Sequence, residues 1–261
     1  MFNLSRILLL VLFQLSVVCA IAQEGTRNTG TANAPIGKIM LIPFEPRLYM
    51  SEIDMKINQQ TKWKFEQIRE NFRKQLNAQL KTKLQSIAPV VSFYSDSTKM
   101  AKDLAYIYRS TTLRYDLISN PTPAKPQPKE SGIKNGQLVV IANTDKKFMN
   151  TQIIDKELLP YLTNKYKTDY FVFINQLDIV NNNETYSLAT DTYMRDVTVH
   201  YSILDKTGKC INAGVATSQF SSKENEPKKI VSLSFTPIAS YISTKLSNVV
   251  KPEKEEMKPK K

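Results

Sequence analysis

The sequence predicts an α/β (α+β) fold, with a single mixed sheet of about five strands covered by a long amphipathic helix and two or three further helices. Three observations predict it. Apolar or alternating runs bounded by turn residues recur at residues 38–44, 170–180 and 196–204, as strands require. Residues 59–87 carry an apolar stripe at steps of three and four, the period of a helix face. A chain of 261 residues with 41% hydrophobic content is long enough to bury one sizeable core.

The elements follow in order. Arg6, the apolar run 7–13 with Val17 and Val18, and Ala20-Ile21-Ala22 ahead of Gln23 form the three parts of a secretory signal peptide, residues 1–22, cleaved between Ala22 and Gln23. The apolar part is shorter than the ~20 residues a membrane-spanning helix needs. Val18 stands before Cys19 where lipidation needs a small residue, so a soluble periplasmic or secreted product is expected. Cleavage leaves 261 − 22 = 239 residues and, with Arg6 removed, a charge of +12 − 1 = +11. Cys210 is then the one remaining cysteine. No internal disulfide can form, and Cys210 is expected as a small buried hydrophobe.

Residues 23–36 read as a flexible leader to a single domain, 37–250. Residues 38–44 suit a strand covered on both faces, and a charged loop, 45–54, follows. In the helix 59–87 the stripe is Phe65, Ile68, Phe72, Leu76, Leu80, Leu84 and Ile87. Asn58 is its N-cap, Pro89 its stop, and lysines and arginines fill the other face. At about 1.5 Å per residue it would be ~40 Å long. Residues 90–94 read as a strand, 96–98 as a turn, and 99–115 as a helix whose Tyr106, Tyr108 and Tyr115 line a core edge while Arg109 and Arg114 stay wet.

Four prolines within 120–129 exclude helix and central strand there, so 119–136 reads as an exposed insertion. Residues 137–142 return to a strand. Residues 150–167 read as a helix kinked or shortened by Pro160. Residues 170–180 are the strongest strand signal, and 181–183 the turn after it. Residues 196–204 alternate, with Val197, Val199, Tyr201 and Ile203 on one face and Thr198, His200 and Ser202 on the other. A hairpin turn at 205–208, a return strand at 209–221 and a helix from 236 with Ile238, Tyr241, Ile242 and Leu246 on its face complete the domain. Residues 251–261 mix lysines with Glu253, Glu255 and Glu256 and read as a charged, disordered tail.

Chemistry is constrained mainly by what the chain lacks. Seven glycines form no phosphate-cradling loop. One histidine and one mature cysteine form no zinc cluster. No GxSxG elbow is present for a nucleophile, and His200 is expected on an outer sheet face. No catalytic, cofactor-binding or metal-binding residues are therefore assigned, and no cofactor is expected. Asp178, Asp191 and Asp196 read as turn or strand-end carboxylates, or alternatively as the acid and base of a glycan-acting enzyme. A pI near 9.5 could signal nucleic acid, but the scattered lysines and the export signal argue against it. The partner-binding candidates are Arg47, Leu48, Tyr49 and Met50, a run of interface-type residues between acidic ones. The competing reading folds Leu48 and Met50 onto the core.

A Pro-Phe-ended strand (Pro43, Phe44) leads into a long helix. Asp169-Tyr170-Phe171-Val172 opens a later strand, and Asp205-Lys206-Thr207-Gly208 closes another. This order resembles the periplasmic α/β fold shared by the curli secretion channel protein CsgG, the penicillin-binding-protein activator LpoB and the N-terminal domain of TolB. The likeness covers most of residues 38–250. The chain departs from that pattern in its proline-rich insertion, in the extra strand-helix unit between residues 120 and 167, in the absence of a lipobox, and in Asn175-Gln176 where a glycine is usual. The resemblance implies a noncatalytic envelope role, an assembly or regulatory module that binds an envelope protein. The alternative is an enzyme acting on a cell-wall or surface glycan.

Overall fold

The computed structural model describes residues 37–94, 98–117, 132–134, 137–139 and 147–250. The signal peptide, the leader, the proline-dense stretch 120–129 and the tail 251–261 lie outside the described residues.

Strand β1 (Lys38–Ile42) is central and buried from Ile39 onward, as its continuous apolar run dictates. Residues 43–48 leave the sheet through a short 3₁₀ turn, Pro46–Leu48, and the chain returns as β2 (Tyr49–Ser51). Two helices follow where the sequence predicts one. Helix α1 (Asp54–Thr61) ends on a left-handed Lys62, and α2 (Phe65–Leu84) begins after Lys64. The break is held by side chains: Asn58 Nδ2 donates to the Trp63 carbonyl at 2.7 Å, and the Trp63 amide donates to Thr61 Oγ1 at 3.1 Å. Asn58 thus closes a helix instead of opening one. Phe65, read as the first residue of the stripe, is exposed, whereas Ile68, Phe72, Leu76, Leu80 and Leu84 are buried.

Strand β3 (Val90–Ser92) and helix α3 (Thr98–Arg109) come next. Residues 111–115, read as the end of a helix, instead belong to β4 (Thr111–Leu117). A small antiparallel pair, β5 (Gly132–Lys134) with β6 (Gln137–Val139), stands where the insertion was expected to end. Residues 147–153, again expected as helix from 150, form β7 (Lys147–Ile153), antiparallel to β4. Helix α4 (Leu158–Tyr166) keeps Pro160 within its first turn, where the missing amide costs little.

Strand β8 (Thr168–Ser187) runs through the residues 181–183 read as a turn, because Asn181 and Asn182 pair with Arg195 and Met194 of β9 (Thr192–Asp205). The turn falls later, at Asp191, whose φ is 48°. A tight turn at Gly208 (φ 85°) leads to β10 (Cys210–Ser221). The last helical stretch runs from α5 (Pro227–Ile230) through a wider π-type segment, Val231–Phe235, into α6 (Thr236–Val250). On α6, Ile238, Ile242 and Leu246 are buried, while Tyr241 is 44% exposed.

The main sheet has the order β10-β9-β8-β1-β3, with β2 also paired to β8. β3, β1, β2 and β8 are parallel, and β9 and β10 antiparallel. The fold is therefore mixed α/β, built on one main sheet. One face carries Ile39, Leu41, Val172, Val197 and Val199 against α2 and α6. The other carries Met40, Ile42, Phe171 and Phe173 against Ile107 of α3 and Leu158, Leu159 and Leu162 of α4.

Between α3 and α4, Asp103 accepts from Lys165 Nζ at 2.7 Å, from Tyr161 at 3.0 Å and from the Tyr166 hydroxyl. Burial works to raise the Asp103 carboxyl, but these donors outweigh it and hold the pKa below the ordinary value. A depressed folded pKa stabilises the fold above the unfolded value, about 3.9, and this stabilisation fades as pH falls through the folded pKa. Asp103→Asn should therefore lower the urea midpoint at pH 7 and leave a shallower acid limb. Parallel midpoint-pH curves for both proteins would show the carboxylate to be idle.

Candidate functional site

The strands that flank β8 create the site. Ile42, the end of β1, lies opposite Phe173, and Tyr49, the start of β2, opposite Leu177. β8 residues 174–176 therefore have no strand neighbour on that side, because residues 43–48 detour away. The same stretch of β8 carries a bulge facing β9, between Ile174 and Gln176. The bulge reverses the alternation: Val172 and Ile174 face α2 and α6 before it, Leu177 and Ile179 after it. Bulges re-aim single side chains in this way, and here Asn175 is the side chain re-aimed.

The detour and the bulge open a crevice of about 280 Å³, whose lining includes Pro43, Glu45, Arg47, Leu48, Tyr108 and Asn175. It sits at the carboxyl end of the parallel strand β1, the position at which open α/β sheets bind ligands. Its rim is rigidly held. Arg73 Nε donates to the Phe44 carbonyl at 2.7 Å, and its Nη2 donates to the Tyr108 hydroxyl at 3.0 Å. Tyr108 in turn donates to the Pro43 carbonyl at 2.6 Å, and burial pushes its pKa up to about 12. Arg73, read as part of the wet face of a helix, is 9% exposed. The missed signal is its place beside Phe72 in the stripe.

The four partner-binding candidates divide. Arg47 and Leu48 line the crevice. Arg47 is exposed and makes a two-pronged pair with Glu45, Nε–Oε2 2.7 Å and Nη2–Oε1 3.2 Å, which raises its pKa further. Tyr49 belongs to the core. Its ring lies 6.4 Å from that of Phe72, its hydroxyl donates to Asp54 at 2.6 Å, and burial with the Asp54 charge raises its pKa. Met50 lies on β2 and is 56% exposed, so it does not fold back.

The crevice floor continues into a buried polar network. Asn175 Oδ1 accepts from Thr151 Oγ1 at 2.6 Å, and its Nδ2 donates to the Met149 carbonyl at 2.7 Å and to Ser202 Oγ at 2.8 Å. Ser202 Oγ donates to Asn150 Oδ1 and accepts from the Thr151 amide. The Met149 amide donates to His200 Nδ1 at 3.0 Å. His200 is therefore buried under β7, where an exposed position was expected. Its Nε2 lies 3.3 Å from Asp178, so both ring nitrogens are engaged and neither bonds Ser202. A nucleophile needs its base within hydrogen-bond reach, and this arrangement lacks it.

Asp178 and Asp196, read as turn or strand-end carboxylates or alternatively as an acid and base, line a second groove, of about 740 Å³, together with His200, Lys147 and Gln219. Asp178 accepts from Gln176 at 2.6 Å, and Asp196 from Asn182 at 2.9 Å and Gln219 at 2.8 Å. Asp191 stands apart in the β8–β9 turn, where it accepts from Tyr186. Cys210 is exposed, not buried, because it opens β10 directly after the hairpin. Desolvation raises its pKa, with the Asp116 charge adding to this, which works against thiolate formation. Among the described residues no group of three or more His, Cys, Asp or Glu could hold a metal ion, and no helix is long and apolar enough to cross a membrane.

No family model matches the chain, and no curated protein does. Solved structures that align in part include the following two. A hypothetical protein of Chlamydia trachomatis aligns over 83% of this chain and 98% of its own, at 12% identity and a TM-score of 0.41. A candidate lipoprotein of Caulobacter crescentus aligns over 32% of this chain and 65% of its own, at 13% identity and a TM-score of 0.19.

Proposed function

We propose that this chain is an exported, noncatalytic binding module of a bacterial cell-envelope complex, and that the crevice between β1 and β2 receives a segment of an envelope protein. The crevice carries the reading. It offers an exposed guanidinium at Arg47, an apolar flank at Leu48 and a polar floor at Asn175, on a rim fixed by Arg73 and Tyr108. Rigid rims with an arginine and an apolar contact suit recognition. The signal-peptide pattern of residues 1–22 supports the periplasmic or secreted location.

Arg47→Ala combined with Leu48→Ala should leave the fold intact and weaken capture of the envelope partner by about 2 kcal/mol or more, the size of a hot spot. Quantitative pull-down from envelope extract, followed by titration of the captured protein, measures this. Unchanged capture by the folded double variant would remove the crevice from the binding surface.

A second reading, a glycan-acting enzyme, is favoured by the meeting of Asp178 and Asp196 in one groove. It requires turnover of a cell-wall or surface glycan that is lost in Asp178→Asn or Asp196→Asn.

A further inference from the structure

The sheet ends differently on its two sides. β3, at one edge, has three residues. β10, at the other, has twelve, Cys210–Ser221, with no charged residue and no proline among them. Its bulge lies only at the start, between Cys210 and Asn212. Proteins normally blunt a long edge strand with charges, prolines or mid-strand bulges, because its outward amides and carbonyls recruit other strands. Nothing in β10 does so after Asn212.

The outward groups can be assigned. The Ser222 amide donates to the Tyr193 carbonyl at 2.8 Å, and the register from Ala213 to Ser221 is unbroken. Antiparallel strands alternate inward and outward pairs, so even-numbered residues bond to β9, while Ala213, Val215, Thr217 and Gln219 point their backbone groups away from the sheet. Among the described residues no hydrogen bond reaches these outward groups.

We propose that β10 is the pairing strand of a homodimer, in which two copies join their β10 edges antiparallel about a two-fold axis and continue the sheet. A second copy fits better than an unrelated strand for two reasons. In antiparallel self-pairing any register that sets outward groups against each other matches odd-numbered with odd-numbered residues, and the uncharged strand brings no like charges face to face, the usual penalty of self-pairing. The element beneath the edge also offers contact area. α6 packs under β10, and its half-exposed Tyr241 lies beside Tyr201, whose hydroxyl donates to Asn212 of β10 at 2.7 Å. A two-fold axis at β10 brings the α6 helices of the two copies together beneath the joined sheets.

Sedimentation equilibrium of the purified full chain over a wide concentration range should show a monomer–dimer equilibrium. Thr217→Pro removes one outward amide while the inward bonds of Ala216 and Ser218 remain. Thr217→Lys leaves the backbone intact and sets like charges near each other across the axis, since the Thr217 side chain is exposed. Each should raise the dimer Kd by about tenfold or more. Circular dichroism reports folding, and if Thr217→Pro does not fold, Thr217→Lys decides alone. A wild-type chain that stays monomeric throughout overturns the proposal, as does a dimer that survives in the folded variants. A monomer that instead binds another protein's strand along β10 overturns it as well.

Discussion

Phe72→Ala should lower the unfolding free energy by about 3–5 kcal/mol, and Leu76→Ala by about 2–5 kcal/mol. Phe72 has no exposed surface. Its ring meets Phe235 edge-on at 5.6 Å and Tyr49 at 6.4 Å, so one side chain joins α2, the π-type segment before α6, and β2. Truncation leaves a cavity that three separate elements would have to close, and rigid elements collapse poorly into such gaps. Leu76 lies one turn further along the same stripe and is 1% exposed. Urea unfolding of both variants, followed by far-ultraviolet circular dichroism, gives the loss directly. A midpoint unchanged in both would mean that the stripe does not carry the core, and the assignment of α2 to the sheet would fail.

The stripe was legible because burial on a helix leaves a period of 3.6 in the sequence, and Ile68, Phe72, Leu76, Leu80 and Leu84 obey it. The helix break at Lys62 was not. It depends on Asn58 and Thr61 bonding around Trp63, and both residues also read well inside or at the start of a helix. The strands β1, β8, β9 and β10 were legible from apolar runs and alternation. β4 and β7 were not, because β7 buries Asn150 and Thr151. A strand that docks through amides and hydroxyls leaves no apolar period, and the neighbouring Ile153, Ile154 and Leu158 then suggested a helix. The extension of β8 through three asparagines shows pairing with β9 overriding local turn preference.

The candidate site was half legible. Composition alone pointed to Arg47 and Leu48, since interface-type residues stood between acids in a loop after the first strand. It could not separate them from Tyr49, because the pairing of β2 with β8 joins residues far apart in sequence. Asn175 was noted only as a departure from a glycine usual in the resembled fold. Its physical meaning is the bulge, which no local pattern encodes.

That bulge makes Asn175 the position where a small polar change should have the largest structural effect. Asn175→Ala strips partners from Thr151 Oγ1, the Met149 carbonyl and one side of Ser202 Oγ. Asn175 is 3% exposed and Ser202 fully buried, so water reaches these groups poorly. Each buried polar group left unpaired costs about 1–3 kcal/mol, and Ser202 keeps its bond to Asn150. A total loss of about 2–6 kcal/mol is therefore expected, the larger part from Thr151 and Met149. The loss should also be local. β7 is joined to the sheet here by these bonds and by the Met149–His200 bond, whereas β1, β8 and β9 are held by the apolar cores on either face. Hydrogen exchange should quicken across β4 and β7 first, with the central strands still protected. Uniform loss of protection would instead show that the network supports the whole sheet. A variant as stable as the parent would show that β7 does not depend on Asn175, and the crevice floor would then be free to vary without cost to the fold.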